Sequence, residues 1–97
     1  MKQLQADSIK KSILPSDFYR HELPGAILKK SGWNNGGLCP FHQDKAKGSF
    51  FINLQTGAYH CFSCGSTGSG VIDFTMTLYG LEFLEALQKL SDEWGVI

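Results

Sequence analysis

The sequence predicts an α+β fold, a small ribbon of antiparallel strands flanked by N-terminal and C-terminal helices. Three observations predict it. Two short pairs, Cys39-Pro40-Phe41-His42 and Cys61-Phe62-Ser63-Cys64, stand eighteen residues apart. Between them, Ser49–Leu54 and Ala58–Phe62 read as two strands joined by a turn containing Thr56-Gly57. Beyond them, Phe83, Leu84, Leu87, Leu90 and Trp94 recur at helical spacing among charged residues. Ninety-seven residues make one domain: a helical segment at 1–25, the ribbon at 26–64 and C-terminal helices at 70–95.

Asp7 or Ser8 can cap a first helix running to about Leu14. Pro15 stops it, and Ser16 can cap a second short helix before Pro24-Gly25. Ala26–Lys30 reads as a first strand. Ser31–Gly37 reads as a loop, because Asn34-Asn35-Gly36-Gly37 favours turns. In the hairpin, Phe50, Ile52 and Leu54 alternate with Phe51 and Asn53, so the two sets face opposite sides. A two-residue turn would pair Ile52 with Cys61 and Phe51 with Phe62. A three-residue turn would pair Phe51 with Cys61, and the sequence leaves both open. Gly65–Gly70 reads as a loop of small residues. Its backbone N–H groups, opening a helix, could hold a phosphate. Val71–Tyr79 is a helix broken by Gly80, and Leu81–Trp94 is an amphipathic helix whose apolar stripe is expected to pack on the sheet. Phe50, Ile52, Phe74 and Trp94 are expected in the core.

The two pairs supply three thiols and one imidazole. Each can sit on a tight turn and offer two side chains to one ion. Cys39, His42, Cys61 and Cys64 together make a closed tetrahedral set suited to one structural Zn²⁺, which turns the predicted ribbon into a zinc ribbon. All three cysteines are used, and an odd count argues against a disulfide framework. His60 adjoins Cys61, but the two-residue spacing of Cys61 and Cys64 favours that pair as the ligands. His60 is expected at the surface or in a hydrogen bond, and His21 in solvent. A zinc with four protein ligands keeps no position for water, so the site is expected to be structural and not catalytic.

Reduced thiols holding a metal suit an intracellular protein. No apolar run approaches the ~18 residues of a membrane span, and residues 1–7 lack an apolar signal core. Net charge is zero, yet charge is unevenly distributed. Lys29, Lys30, Lys45 and Lys47 stand against Asp44 around the first ligand pair. Asp73, Glu82, Glu85, Asp92 and Glu93 stand against Lys89 in the C-terminal segment. Such polarity can present the metal end to an anion.

Cys-Pro-Phe-His, then Ser-Phe with an alternating strand, then Tyr-His-Cys-Phe-x-Cys-Gly, then Ile-Asp-Phe resembles the zinc-binding domain of bacterial and phage DnaG-type DNA primases, the CHC2 zinc finger. The resemblance runs from about Ile9 to Val96. It implies the same four zinc ligands and a location in the cytoplasm. It also implies a module that engages single-stranded DNA template and supports RNA primer synthesis. The polymerising chemistry would belong to a separate Mg²⁺-binding domain, so the chain is expected not to be an enzyme by itself. Two loops depart from the family pattern. Lys45-Ala46-Lys47-Gly48-Ser49-Phe50 is longer and lacks a proline, and Gly68-Ser69-Gly70 is one residue longer. They suggest a divergent member, from a phage or mobile element.

Single strands are held by cations on phosphates and aromatic rings under bases. Lys29, Lys30, Lys45 and Lys47 supply the charge; Trp33 and Phe51 are the expected stacking rings, with Tyr59 and Phe62 divided between stacking and core. The expected partners are template DNA, a primase polymerase domain and a replicative helicase. The alternative is a zinc ribbon that docks on a replication polymerase or helicase through Leu and Phe residues of the last helix. A redox-sensing zinc thiolate is a weaker third reading.

Overall fold

Pro15 opens a helix as well as closing one. In the computed structural model, which describes residues 6–96, α1 (Ala6–Ser12) gives way to α2 (Pro15–Glu22). Pro15 takes the first turn of α2, where a missing N–H costs nothing and its fixed φ suits the helix. Ser16 is therefore inside the helix; the N-cap is Leu14, with no side-chain cap. Asp7 and Ser8 likewise lie inside α1. The part of the expected N-terminal segment before residue 6 lies outside the described residues.

A sheet follows, in the order β1 (Trp33–Asn35), β2 (Phe50–Asn53), β3 (Tyr59–Cys61) and β4 (Thr67–Gly68), antiparallel throughout. Two expectations are corrected. The first strand is at 33–35, inside the expected loop, and Ala26–Lys30 contributes only the isolated bridge Ile27–Asn35. The small-residue loop contains β4. Asn34 explains the first shift. Its buried side chain accepts from the N–H groups of Lys29 and Lys30 and donates to the carbonyls of Lys30 and Gly32. It thereby ties the preceding loop to the strand edge.

Neither anticipated hairpin register occurs. Phe50 pairs with Cys61, Phe51 with His60 and Ile52 with Tyr59. The turn spans residues 54–57: Asn53 N–H donates to Ala58 O, and Gly57 N–H to Asn53 O. The Asn53 carboxamide selects this longer turn by accepting from the Gln55 and Thr56 N–H groups at 2.9 and 3.1 Å.

The inner face of the sheet carries Phe50, Ile52, Tyr59 and Cys61, all buried. Against it stand Phe18 and Tyr19 of α2 and Phe74 of α3 (Val71–Tyr79). The Phe74 ring meets Tyr59, Tyr19, Phe18 and Phe41 edge-on at 5.1–5.6 Å. Phe41, from the first ligand pair, stacks on Tyr59 at 5.1 Å and so anchors that turn to the core.

Gly80 ends α3 in the left-handed conformation, and α4 (Phe83–Trp94) opens with a capping box between Glu82 and Glu85. Ala86, Leu87 and Leu90 are buried, but Leu84 is 69% exposed and Phe83 46%. The apolar stripe is thus narrower than expected. The helix packs mainly on α1 and α3, not on the sheet. Trp94 is half-buried against Phe18 at the edge of the core.

Candidate metal centre and nucleic-acid interface

Each ligand pair sits on a turn that points backbone N–H groups at sulfur. Phe41 N–H donates to Cys39 Sγ at 3.4 Å, and Cys64 N–H to Cys61 Sγ at 3.5 Å. The second turn closes with Gly65 N–H on the Cys61 carbonyl at 2.9 Å. Gly65 holds φ at 81°, a conformation glycine adopts without strain. Cys61 is fixed further by its place on β3, and Cys64 lies exposed on the rim.

The ligand atoms of Cys39, His42, Cys61 and Cys64 all lie within 4.8 Å of one another. Cys39 Sγ and Cys64 Sγ are 3.8 Å apart. A tetrahedral zinc with Zn–S bonds of ~2.3 Å sets two sulfurs roughly 3.8 Å apart, so the spacing fits the ion. The buried Nδ1 of His42 has no hydrogen-bond partner, as a nitrogen facing a metal would. On the other side of the ring, Nε2 lies 3.8 Å from Asp44 Oδ1. Asp44 Oδ2 accepts from Cys39 N–H at 2.9 Å.

The thiols differ in their environments. Burial pushes Cys39 up to about 12, whereas contacts to the hydroxyl and backbone of Ser66 bring Cys64 down to about 6. A divalent ion favours the thiolate form of each coordinating sulfur, so a cluster of three thiols and one imidazole fits one structural Zn²⁺.

The opposite face of the sheet presents a second feature. Trp33, Phe51, His60, Phe62 and Thr67 line an open groove of about 510 Å³. Trp33 is 47% exposed and Phe62 73%, large values for such rings. Phe62 meets Phe51 edge-on at 5.9 Å and His60 at 4.4 Å. The structure thus brings together two expected stacking residues, Trp33 and Phe51. Tyr59 is not available for stacking: it is buried, with its hydroxyl near Thr77 and the Asp73 carbonyl. Lys29, Lys30, Lys45 and Lys47 are all exposed, on the loops leading into β1 and β2 and outside the groove lining. His60 and Thr67 were not anticipated in the groove. The signal for His60 and Phe62 was present in the alternation. Cys61 must face the metal and the core, so its two neighbours must face outward.

The CHC2 zinc finger of DnaG matches residues 3–97. The chain belongs to this family. Similar proteins include a DNA primase of Helicobacter pylori, 41% identical over 70 residues, and one of Neisseria meningitidis, 47% identical over 70 residues. Each alignment covers 72% of this chain and 12% of the primase, so the CHC2 chain spans about an eighth of these relatives. A structure of the Aquifex aeolicus primase, comprising zinc-binding and RNA polymerase domains, superposes with a TM-score of 0.75 at 25% identity. The match covers 94% of this chain and 21% of that one. As in other CHC2 fingers, the expected cofactor is one structural zinc, and the cluster described above suits it. No helix among the described residues is long and apolar enough to cross a membrane.

Proposed function

We propose that this CHC2 domain is the template-engaging module of a DNA primase. It holds single-stranded DNA in the groove of Trp33, Phe51, His60 and Phe62, with Lys29, Lys30, Lys45 and Lys47 attracting the flanking phosphates. Its ion, held by Cys39, His42, Cys61 and Cys64, is structural. The domain makes no phosphodiester bond by itself and works in the cytoplasm beside a primase polymerase domain, with a replicative helicase as a further partner.

The observation that carries this reading is the groove. Exposed rings on a sheet face cost hydration free energy and contribute nothing to the core, so their value lies in a ligand. Flat apolar walls suit unpaired bases, every one of which offers a π-face. The exposed lysines on the loops leading into β1 and β2 supply the salt-dependent attraction that a strand requires.

The test is a fluorescence-anisotropy titration of zinc-loaded protein with a short labelled single strand at several salt concentrations. Binding that weakens with salt and is competed by unlabelled single strands supports the proposal. Affinity unchanged when all four lysines become glutamines would favour the second reading, a protein-docking ribbon. The exposed Phe83 and Leu84 at the start of α4 are the observation behind that alternative.

A further inference from the structure

Asp44 divides its two carboxylate oxygens between two metal-binding residues. Oδ2 accepts from the backbone N–H of Cys39 at 2.9 Å, and Oδ1 faces Nε2 of His42 at 3.8 Å. The Asp44 side chain is 10% exposed and that of His42 24%. At 3.8 Å the Oδ1–Nε2 contact is electrostatic and too long for a direct hydrogen bond, and no hydrogen bond to Nε2 is formed among the described residues. The opposite ring nitrogen, Nδ1, is buried and unpartnered.

We infer that Asp44 is the positioning residue of the zinc centre, a carboxylate that fixes both the tautomer of His42 and the spacing of the Cys39–His42 pair. A neutral imidazole has one N–H and one lone pair. A carboxylate beside Nε2 holds the proton there and leaves the lone pair on Nδ1 for the ion. The same carboxylate, anchored on Cys39 N–H, closes the chain from 39 to 44 into a loop. The first ligand's backbone and the second ligand's ring are then referenced to one group. In sequence Asp44 reads as a lone acid among lysines, and it is not one of the four residues of the cluster. The inference rests on the metal site alone and is independent of what occupies the groove.

The experiment compares the parent protein with Asp44→Asn and Asp44→Ala. Zinc affinity is measured by competition with a chelator of known affinity. Asparagine can still accept from Cys39 N–H but turns an N–H group toward the Nε2 proton. Both variants are expected to bind zinc about 10- to 100-fold more weakly. Their circular dichroism at saturating zinc should match the parent. Asp44→Asn binding zinc as tightly as the parent overturns the inference, even if Asp44→Ala is weakened. Nitrogen NMR of the zinc-loaded parent gives a second test that needs no variant. Zinc on Nδ1 with the proton on Nε2 supports the assignment, and zinc on Nε2 overturns it.

Discussion

Gly68 lies directly against the ring of Tyr59. A Cβ built on Gly68 would stand 2.6 Å from both Cζ and Oη of that tyrosine. The ring cannot move aside, because Tyr59 is enclosed by Phe41 and Phe74. Gly68→Ala is therefore expected to displace β4 or Tyr59 and to destabilise the domain by about 1–3 kcal/mol. Chemical denaturation of the zinc-loaded protein checks this, and a variant as stable as the parent would show that the strand edge yields freely.

One Zn²⁺ per chain is expected on metal analysis of protein purified under reducing conditions. Cys61→Ser should lose the ion and much of the fold, because Cys61 is both a ligand and a buried residue of the inner sheet face. Circular dichroism and metal content should fall together. A folded, zinc-free variant would separate the two roles.

All three tyrosines hold their protons above the ordinary value of 10. Burial is the main cause for each. Tyr79 is pushed up to about 12, helped by its hydroxyl donating to Glu22 at 2.9 Å. The folded state thus binds these protons more tightly than the unfolded chain. The resulting stability is fully present below pH 10 and declines as pH rises toward the folded values. A titration of tyrosinate absorbance should stay flat through pH 10 and then rise with unfolding. Ordinary ionisation of even one tyrosine at pH 10 in the folded protein contradicts this.

Trp33→Ala, Phe51→Ala and Phe62→Ala should each weaken single-strand binding by about 1–3 kcal/mol where the ring stacks on a base. Each lysine among Lys29, Lys30, Lys45 and Lys47 that meets a phosphate should, when neutralised, lower the salt slope by roughly 0.7. Tyr59→Phe keeps the buried ring and should leave binding intact. The anisotropy titration separates these outcomes.

Primer synthesis is expected to stay blank when the purified chain is given template, ribonucleotides and Mg²⁺. A structural zinc with four protein ligands offers no site for activated water. Product that tracks the protein through purification and disappears with Cys61→Ser would overturn this.

The metal cluster was legible because spacing alone determines which side chains can meet one ion. The β2–β3 hairpin and the helices at 71–79 and 83–94 were legible from periodicity. What escaped depended on single side chains acting at a distance. Asn34 looks like a turn residue and instead ties a loop to a strand. Asn53 lengthens a turn by capping it. Gly68 reads as flexible filler, yet its role is to make room for Tyr59. Phe83 and Leu84 keep the helical rhythm but outrun the surface available to cover them. The groove was half legible: Trp33 and Phe51 stood out by residue type, but their meeting with His60 and Phe62 required the register.

Along β3 and the residue after it, alternation puts His60 and Phe62 on one side of the sheet and the zinc ligand Cys61 on the other. Ion and groove thus share one short length of backbone without touching. Any ordering of that backbone by the ion that favoured a ligand in the groove would, by linkage, act equally in the other direction. If a strand binds better to the zinc-loaded domain, zinc must bind more tightly to the strand-bound domain by the same free energy. Occupancy of the groove should then be measurable as a tighter zinc affinity in competition with a chelator.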